Sequence, residues 1–131
     1  MEKTKEAEYY LGLYKEDLLY IGLSIEETAF HMQIARNYAI DFLIRQQFAA
    51  VKDAAKPSNI DTYIVDFMIR NRLVRSKKSL HERLESLKRF LDSLSRHRRI
   101  SSQSLSKAFL HLEEKEEVWA SYLKSGPKSG R

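Results

Sequence analysis

At 131 residues the chain is sized for one domain with a modest hydrophobic core. It has no cysteine, which excludes disulfides, thiolate chemistry and Cys-ligated zinc. Lys and Arg number 23 against 18 Asp and Glu, a net charge of +5 that tilts the expectation toward an anionic partner, and the excess gathers in Arg70–Lys78 and Arg96–Arg99.

The composition includes 4 Gly and 2 Pro, and no segment alternates apolar and polar residues like a strand. The expected fold is therefore all-α, a single bundle of about five helices over residues 1–124, with a long N-terminal helical hairpin and a disordered tail at 125–131. Helix one is expected from about Lys5 to Ile21, with Tyr10, Leu11, Tyr14, Leu18 and Ile21 inward and Gly22 as its stop. Helix two opens on a capping box, Ser24 with Glu27, and its apolar residues at Ile25, Ala29, Met32, Ala35, Ala39, Ile40 and Leu43 carry it to about Ala55. Lys56-Pro57-Ser58-Asn59 is a break.

Helix three is expected from about Ile60 to Val74. Its YIVDFMIRNRL (Tyr63–Leu73) echoes YAIDFLIRQQF (Tyr38–Phe48), read either as an old duplication or, preferably, as two buried helices drawn from one small alphabet. Helix four is expected to be capped by Ser79 with Glu82. Leu80, Leu84, Leu87, Leu91 and Leu94 then form a narrow seam suited to bundle packing or to a dimer interface. Helix five runs from about Ser102 to Leu123 and carries a solvated acidic stretch, Glu113-Glu114-Lys115-Glu116-Glu117.

No apolar run reaches membrane-spanning length, and the start, MEKTKEAEYY, lacks a signal-peptide core, so a cytoplasmic protein without membrane partners is expected. The chain has no phosphate loop, no helix-borne histidine pair and no nucleophile elbow, and neither a metal nor a cofactor is expected. One functional reading is a helix-turn-helix DNA-binding regulator over Ser24–Phe42. It would have Ala29 at the helix crossing, Ile34 packing the turn and Ala35–Tyr38 facing the major groove. Gln33 stands where that family usually has Gly, and the apolar period crosses the proposed turn unbroken. A third reading is a non-catalytic scaffold or interaction protein that uses the leucine seam.

The leading reading comes from a resemblance. Asp17 and Leu18, then Gly22, then Ala29, Phe30, His31, Gln33, Ala35, Ala39 and Leu43 resemble the first two helices of the HEPN superfamily, over about the first third of the chain. That resemblance implies a small helical bundle that is commonly a homodimer. It implies an RNA-binding module or metal-independent RNase, often in toxin–antitoxin or defence systems beside a nucleotidyltransferase. The family's Arg–spacer–His motif maps to Arg75 and His81 in RSKKSLH, with Ser76 where the family usually has an amide side chain. The implied roles are phosphate stabilisation by Arg75 and acid–base chemistry by His81. Arg70, Arg72, Lys77 and Lys78, with Arg96, Arg98 and Arg99, are the expected nucleic-acid contacts, RNA in preference to DNA.

Overall fold

The computed structural model describes the backbone of residues 2–129 and the side chains of residues 2–123; the tail expected at 125–131 lies outside those side chains. The fold is an all-α bundle of five helices, with no strand among the described residues. α1 spans Glu2–Tyr20 and buries Ala7, Leu11, Tyr14 and Leu18, spaced four, three and four apart so that they form one stripe. Tyr10 is half-buried, and Ile21, expected inward, is exposed.

The Ser24 capping box forms as the sequence foretells. The Glu27 amide donates to Ser24 Oγ at 3.0 Å, and the Ser24 amide donates to Glu27 Oε1 at 2.9 Å. α2 (Ile25–Arg36) then passes without a break into a π-helix, π1 (Asn37–Ile44). Asn37, at the junction, keeps helical angles of −58° and −44°. A helix-turn-helix needs a reverse turn at Met32–Arg36; the chain there is continuous helix, so that geometry is absent.

The second helix stops at Ile44 rather than near Ala55. Phe48 turns left-handed at φ 55°, and the Ala49 amide returns to the Leu43 carbonyl at 2.8 Å. Residues 49–56 fold back as a short 3-10 turn (Val51–Asp53) that buries Val51, Ala54 and Ala55. Pro57 occupies the first position of α3 (Pro57–Asp61), where its missing N–H costs nothing. α3 continues as a second π-helix, π2 (Thr62–Ile69), again shorter than the expected Val74.

The echo in the sequence is therefore an echo in conformation. Both matched segments widen into π-helix, and they pack on each other through register-matched rings. Tyr38 meets Tyr63 at 4.7 Å between centroids, Phe42 meets Phe67 at 5.5 Å, and Phe42 also meets Tyr63 at 5.2 Å. Matched ion pairs sit on the outer faces, Asp41–Arg45 at 3.4 Å and Asp66–Arg70 at 3.2 Å. π-Helix is rare because its hydrogen-bond geometry is poor. Aromatic pairs, worth about 0.5–1.5 kcal/mol each beyond their burial, offset that cost. The phenols are satisfied, since Tyr63 donates to Asn37 Oδ1 at 2.6 Å and Tyr38 to the Ala54 carbonyl. Burial pushes both phenols well above their ordinary pKa, so both remain donors.

α4 (Lys77–Arg96) starts three residues before the expected one. Its cap is Ser76, whose Oγ accepts from the Ser79 amide at 3.0 Å; Ser79 and Glu82 lie inside the helix. The five seam leucines are all buried, together with Phe90, against α1, α2 and α5. α5 (Ser102–Ser129) closes the bundle with Ala108, Leu112, Trp119, Ala120 and Leu123.

Leu87 and Leu110 calibrate this core. Leu87→Ala is expected to cost about 2–5 kcal/mol in urea unfolding, whereas the same change at Leu110, 56% exposed, should stay within about 0.5 kcal/mol. Equal effects would contradict the assigned faces.

Candidate nucleic-acid interface

Three helix ends use one hydrogen-bond pattern. At the end of α1 the amides of Gly22 and Leu23 return to Leu19 and Leu18. After π2 the amides of Arg72 and Leu73 return to Ile69 and Met68, and after α4 those of Arg98 and Arg99 return to Ser95 and Leu94. Each turn needs a left-handed residue at its centre. Glycine fills it first, at φ 94°, but arginine fills it twice, Arg72 at 59° and Arg98 at 63°. A left-handed side-chain-bearing residue costs about 1–2 kcal/mol. Both arginines are exposed, and neither makes an ion pair or side-chain hydrogen bond among the described residues.

Arg72 belongs to the loop that leads into α4. Arg75 and Lys78 are likewise exposed and unpaired, Lys77 reaches Glu117 at only 3.8 Å, and Arg70 is held by Asp66. The first turn of α4 holds no carboxylate; Lys77 and Lys78 stand there instead. Helix starts normally attract acidic side chains because the macrodipole is positive there. Basic residues at the positive end of a 20-residue helix concentrate positive potential at one spot.

The second basic cluster is different. Arg99 Nε donates to Glu6 Oε2 at 2.6 Å, and Arg96 bonds Asp92 at 3.1 Å and approaches Asp17 at 3.7 Å. Asp17 Oδ2 also accepts from Ser93 Oγ at 2.8 Å and lies 3.1 Å from His97 Nε2. These groups fasten α4 to α1, so of this cluster Arg98 alone is uncommitted. A helix of 20 residues separates its two ends by about 30 Å. Arg70–Lys78 and Arg96–Arg99 are therefore two surfaces, not one.

His81 points toward α5 and the acidic side of α4. Its Nδ1 lies 2.8 Å from Glu116 Oε2 and its Nε2 is 4.0 Å from Glu85. The Glu116 hydrogen bond and charge raise its pKa above the ordinary 6.5. No hydrogen bond or ion pair joins Arg75 to His81. His81 instead shares an open groove of about 560 Å³ with His31, whose Nδ1 is 2.7 Å from Ser86 Oγ. Glu26, Glu27, Glu82 and Glu85 line that groove, against one guanidinium, Arg89. Burial, then the Arg89 charge, lowers the pKa of His31. Of the residues singled out by the Arg–spacer–His motif, Arg75 thus sits on the basic loop and His81 in an acidic groove.

Sequence reading missed a third feature, a recess of about 240 Å³ where π1 and π2 end, lined by Phe42, Gln46, Gln47, Asp66, Phe67 and Asn71. The echo was the available signal, because Gln46 and Asn71 occupy matched positions in it. Among the described residues no group of three His, Asp or Glu side chains could hold a metal, and no helix is long and apolar enough to cross a membrane. Comparison with family models, curated proteins and solved structures finds no match to this chain.

The two groove histidines should titrate apart. By NMR, His81 is expected above 6.5 and His31 below it, and Glu116→Gln should lower His81 alone. Because Glu116 favours charged His81 in the fold, the stability this pair contributes is present below pH 6.5 and fades as pH rises through the folded pKa. Titration of both rings at one pH would contradict the arrangement.

Proposed function

We propose that the chain is a HEPN-like, RNA-associated helical module that grips the phosphate backbone through the loop and helix start at Arg70–Lys78. The observation that carries this reading is Arg72. It stands in a left-handed turn that glycine fills elsewhere in the same chain, unpaired, among the equally unpaired Arg75 and Lys78. A strained residue is kept where something other than stability selects it. Its position next to a carboxylate-free helix start supports anion binding, and single-stranded RNA is the polyanion the HEPN resemblance favours.

The resemblance further assigns a homodimer and a nucleotidyltransferase-like partner in a toxin–antitoxin or defence setting. Exposed Leu19, Tyr20, Ile21 and Ile25 at the tip of the α1–α2 hairpin give such assembly an apolar surface. In the RNase form of this reading, Arg75 holds the scissile phosphate and His81, whose charged form Glu116 favours, serves as general acid. RNA or a second copy must then bring the Arg75 loop to the His81 groove. The regulator reading lacks its turn, and the scaffold reading leaves the cost of Arg72 without a purpose.

Affinity for single-stranded RNA should fall at least tenfold in the Arg72→Ala, Arg75→Ala, Lys78→Ala triple variant. Its salt slope should flatten by about 2, three contacts at roughly 0.7 each. Arg99→Ala, whose guanidinium is committed to Glu6, should leave that slope unchanged. Arg72→Gly should weaken binding while raising unfolding free energy by up to about 1 kcal/mol. Unchanged RNA affinity in the triple variant contradicts the proposal. RNA incubated in EDTA with wild type and with His81→Ala tests the RNase form, which requires cleavage by the wild type alone.

A further inference from the structure

The recess between the π-helices differs chemically from the other grooves. Its floor is aromatic, with Phe42 buried and Phe67 half-buried, and its walls carry amides. Gln46 and Gln47 are exposed, and their side chains have no partner among the described residues. Asn71 Nδ2 donates to the Phe67 carbonyl at 2.8 Å, which orients the side chain and leaves its Oδ1 free to accept. Asp66, on the rim, is neutralised by Arg70 at 3.2 Å. Donors and acceptors thus surround an apolar face in a space sized for one flat ring rather than a chain.

The chain's connectivity fixes what lies alongside. Asn71 stands between Arg70 and Arg72, so the amide wall continues directly into the basic loop. A ligand that fits both halves has a flat, hydrogen-bonding ring joined to a phosphate chain. We infer that this recess is a nucleobase-binding site for single-stranded RNA, stacking one base on Phe67 and pairing its edge with the Gln46, Gln47 and Asn71 side chains. Amides that donate and accept in parallel match adenine, which offers an adjacent donor and acceptor. Stacking on an aromatic ring tolerates any base, so the amides carry the preference. The π-helices supply the geometry. Their wider turns bring the chain out of each helix at Gln46–Gln47 and at Asn71, one pair of ends facing the other across the Phe42–Phe67 contact.

The inference rests on the phosphate-binding reading, and its test separates the two. Fluorescence anisotropy would compare a short labelled oligoadenylate, an oligouridylate and an abasic sugar–phosphate strand of equal length at one salt concentration. Oligoadenylate should bind roughly tenfold tighter than the abasic strand and several-fold tighter than oligouridylate. The Gln46→Ala, Gln47→Ala double variant, which changes only exposed side chains, should erase the preference for oligoadenylate over oligouridylate while leaving the salt slope intact. Asn71→Ala should act in the same direction. Equal affinity for all three strands, unmoved by the double variant, overturns the base site and leaves the phosphate grip standing. Failure of every strand to bind overturns both.

Discussion

The contact on which the rest of the molecule depends is the stack of four rings, Tyr38, Phe42, Tyr63 and Phe67, between the two π-helices. An α-helix at these positions would advance each side chain by 100° per residue, and the π turn advances it less, so the widening resets which residues face the seam. The rings and their satisfied phenols hold that unusual winding in place. From it follow the early stop at Ile44, the fold-back through Val51–Ala55, the start of α3 at Pro57 and the exit of the chain at Arg70. The basic loop lies where it does because π2 ends where it does.

Charge in this protein is sorted by commitment rather than by count. About half of the arginines and lysines in the two basic runs are already paired. Arg70 is paired along its own helix; Arg96 and Arg99 hold α4 to α1. Of the four uncommitted cations, Arg72, Arg75 and Lys78 gather at the positive end of α4, and Arg98 stands alone at its other end. Such an arrangement weakens the helix start and strengthens the local field, a balance expected of a surface kept for an anionic partner. The His81 groove is the opposite case. It is acidic, begins about one turn further along α4, and is built on imidazoles anchored through Nδ1 to Glu116 and Ser86. The basic helix start and the histidine groove are neighbours on α4, since Lys77 and His81, four residues apart, reach the adjacent Glu117 and Glu116 of α5.

Much of the fold was legible because it is written in local rules. The Ser24–Glu27 box, the Gly22 stop, the break at Pro57 and the leucine seam each rest on a few neighbouring residues, and all of them form. The helix ends were legible only in part. Arg45, Gln46 and Gln47 are good helix formers, and nothing local announces that Phe48 will turn left-handed. Arg72 and Arg98 hide in the same way, because sequence reading looks for glycine at such turns. Ser76 and Ser79 both qualify as caps, and only packing of Leu80 and Leu84 into the core chooses the earlier one. The π-helices had a signal in the repeated Tyr–Asp–Phe–Ile–Arg pattern, but its meaning is tertiary, since each copy needs the other's rings. For the site, two basic runs could be read in the sequence, Arg70–Lys78 and Arg96–Arg99, but not which of their residues are paired. Nor does anything local announce that Glu116, 35 residues on, claims His81.

On the proposed RNA-associated function, unpaired basic residues at the start of α4, continuous with the amide recess, form one RNA-binding face. Backbone and side-chain amide NMR shifts on titration with single-stranded RNA test it most directly. Perturbation is expected at Arg72, Arg75, Lys77 and Lys78 together with the side-chain amides of Gln46, Gln47 and Asn71, with silence at Arg96 and Arg99. Shifts centred on Arg96–Arg99, or none at all, would contradict it.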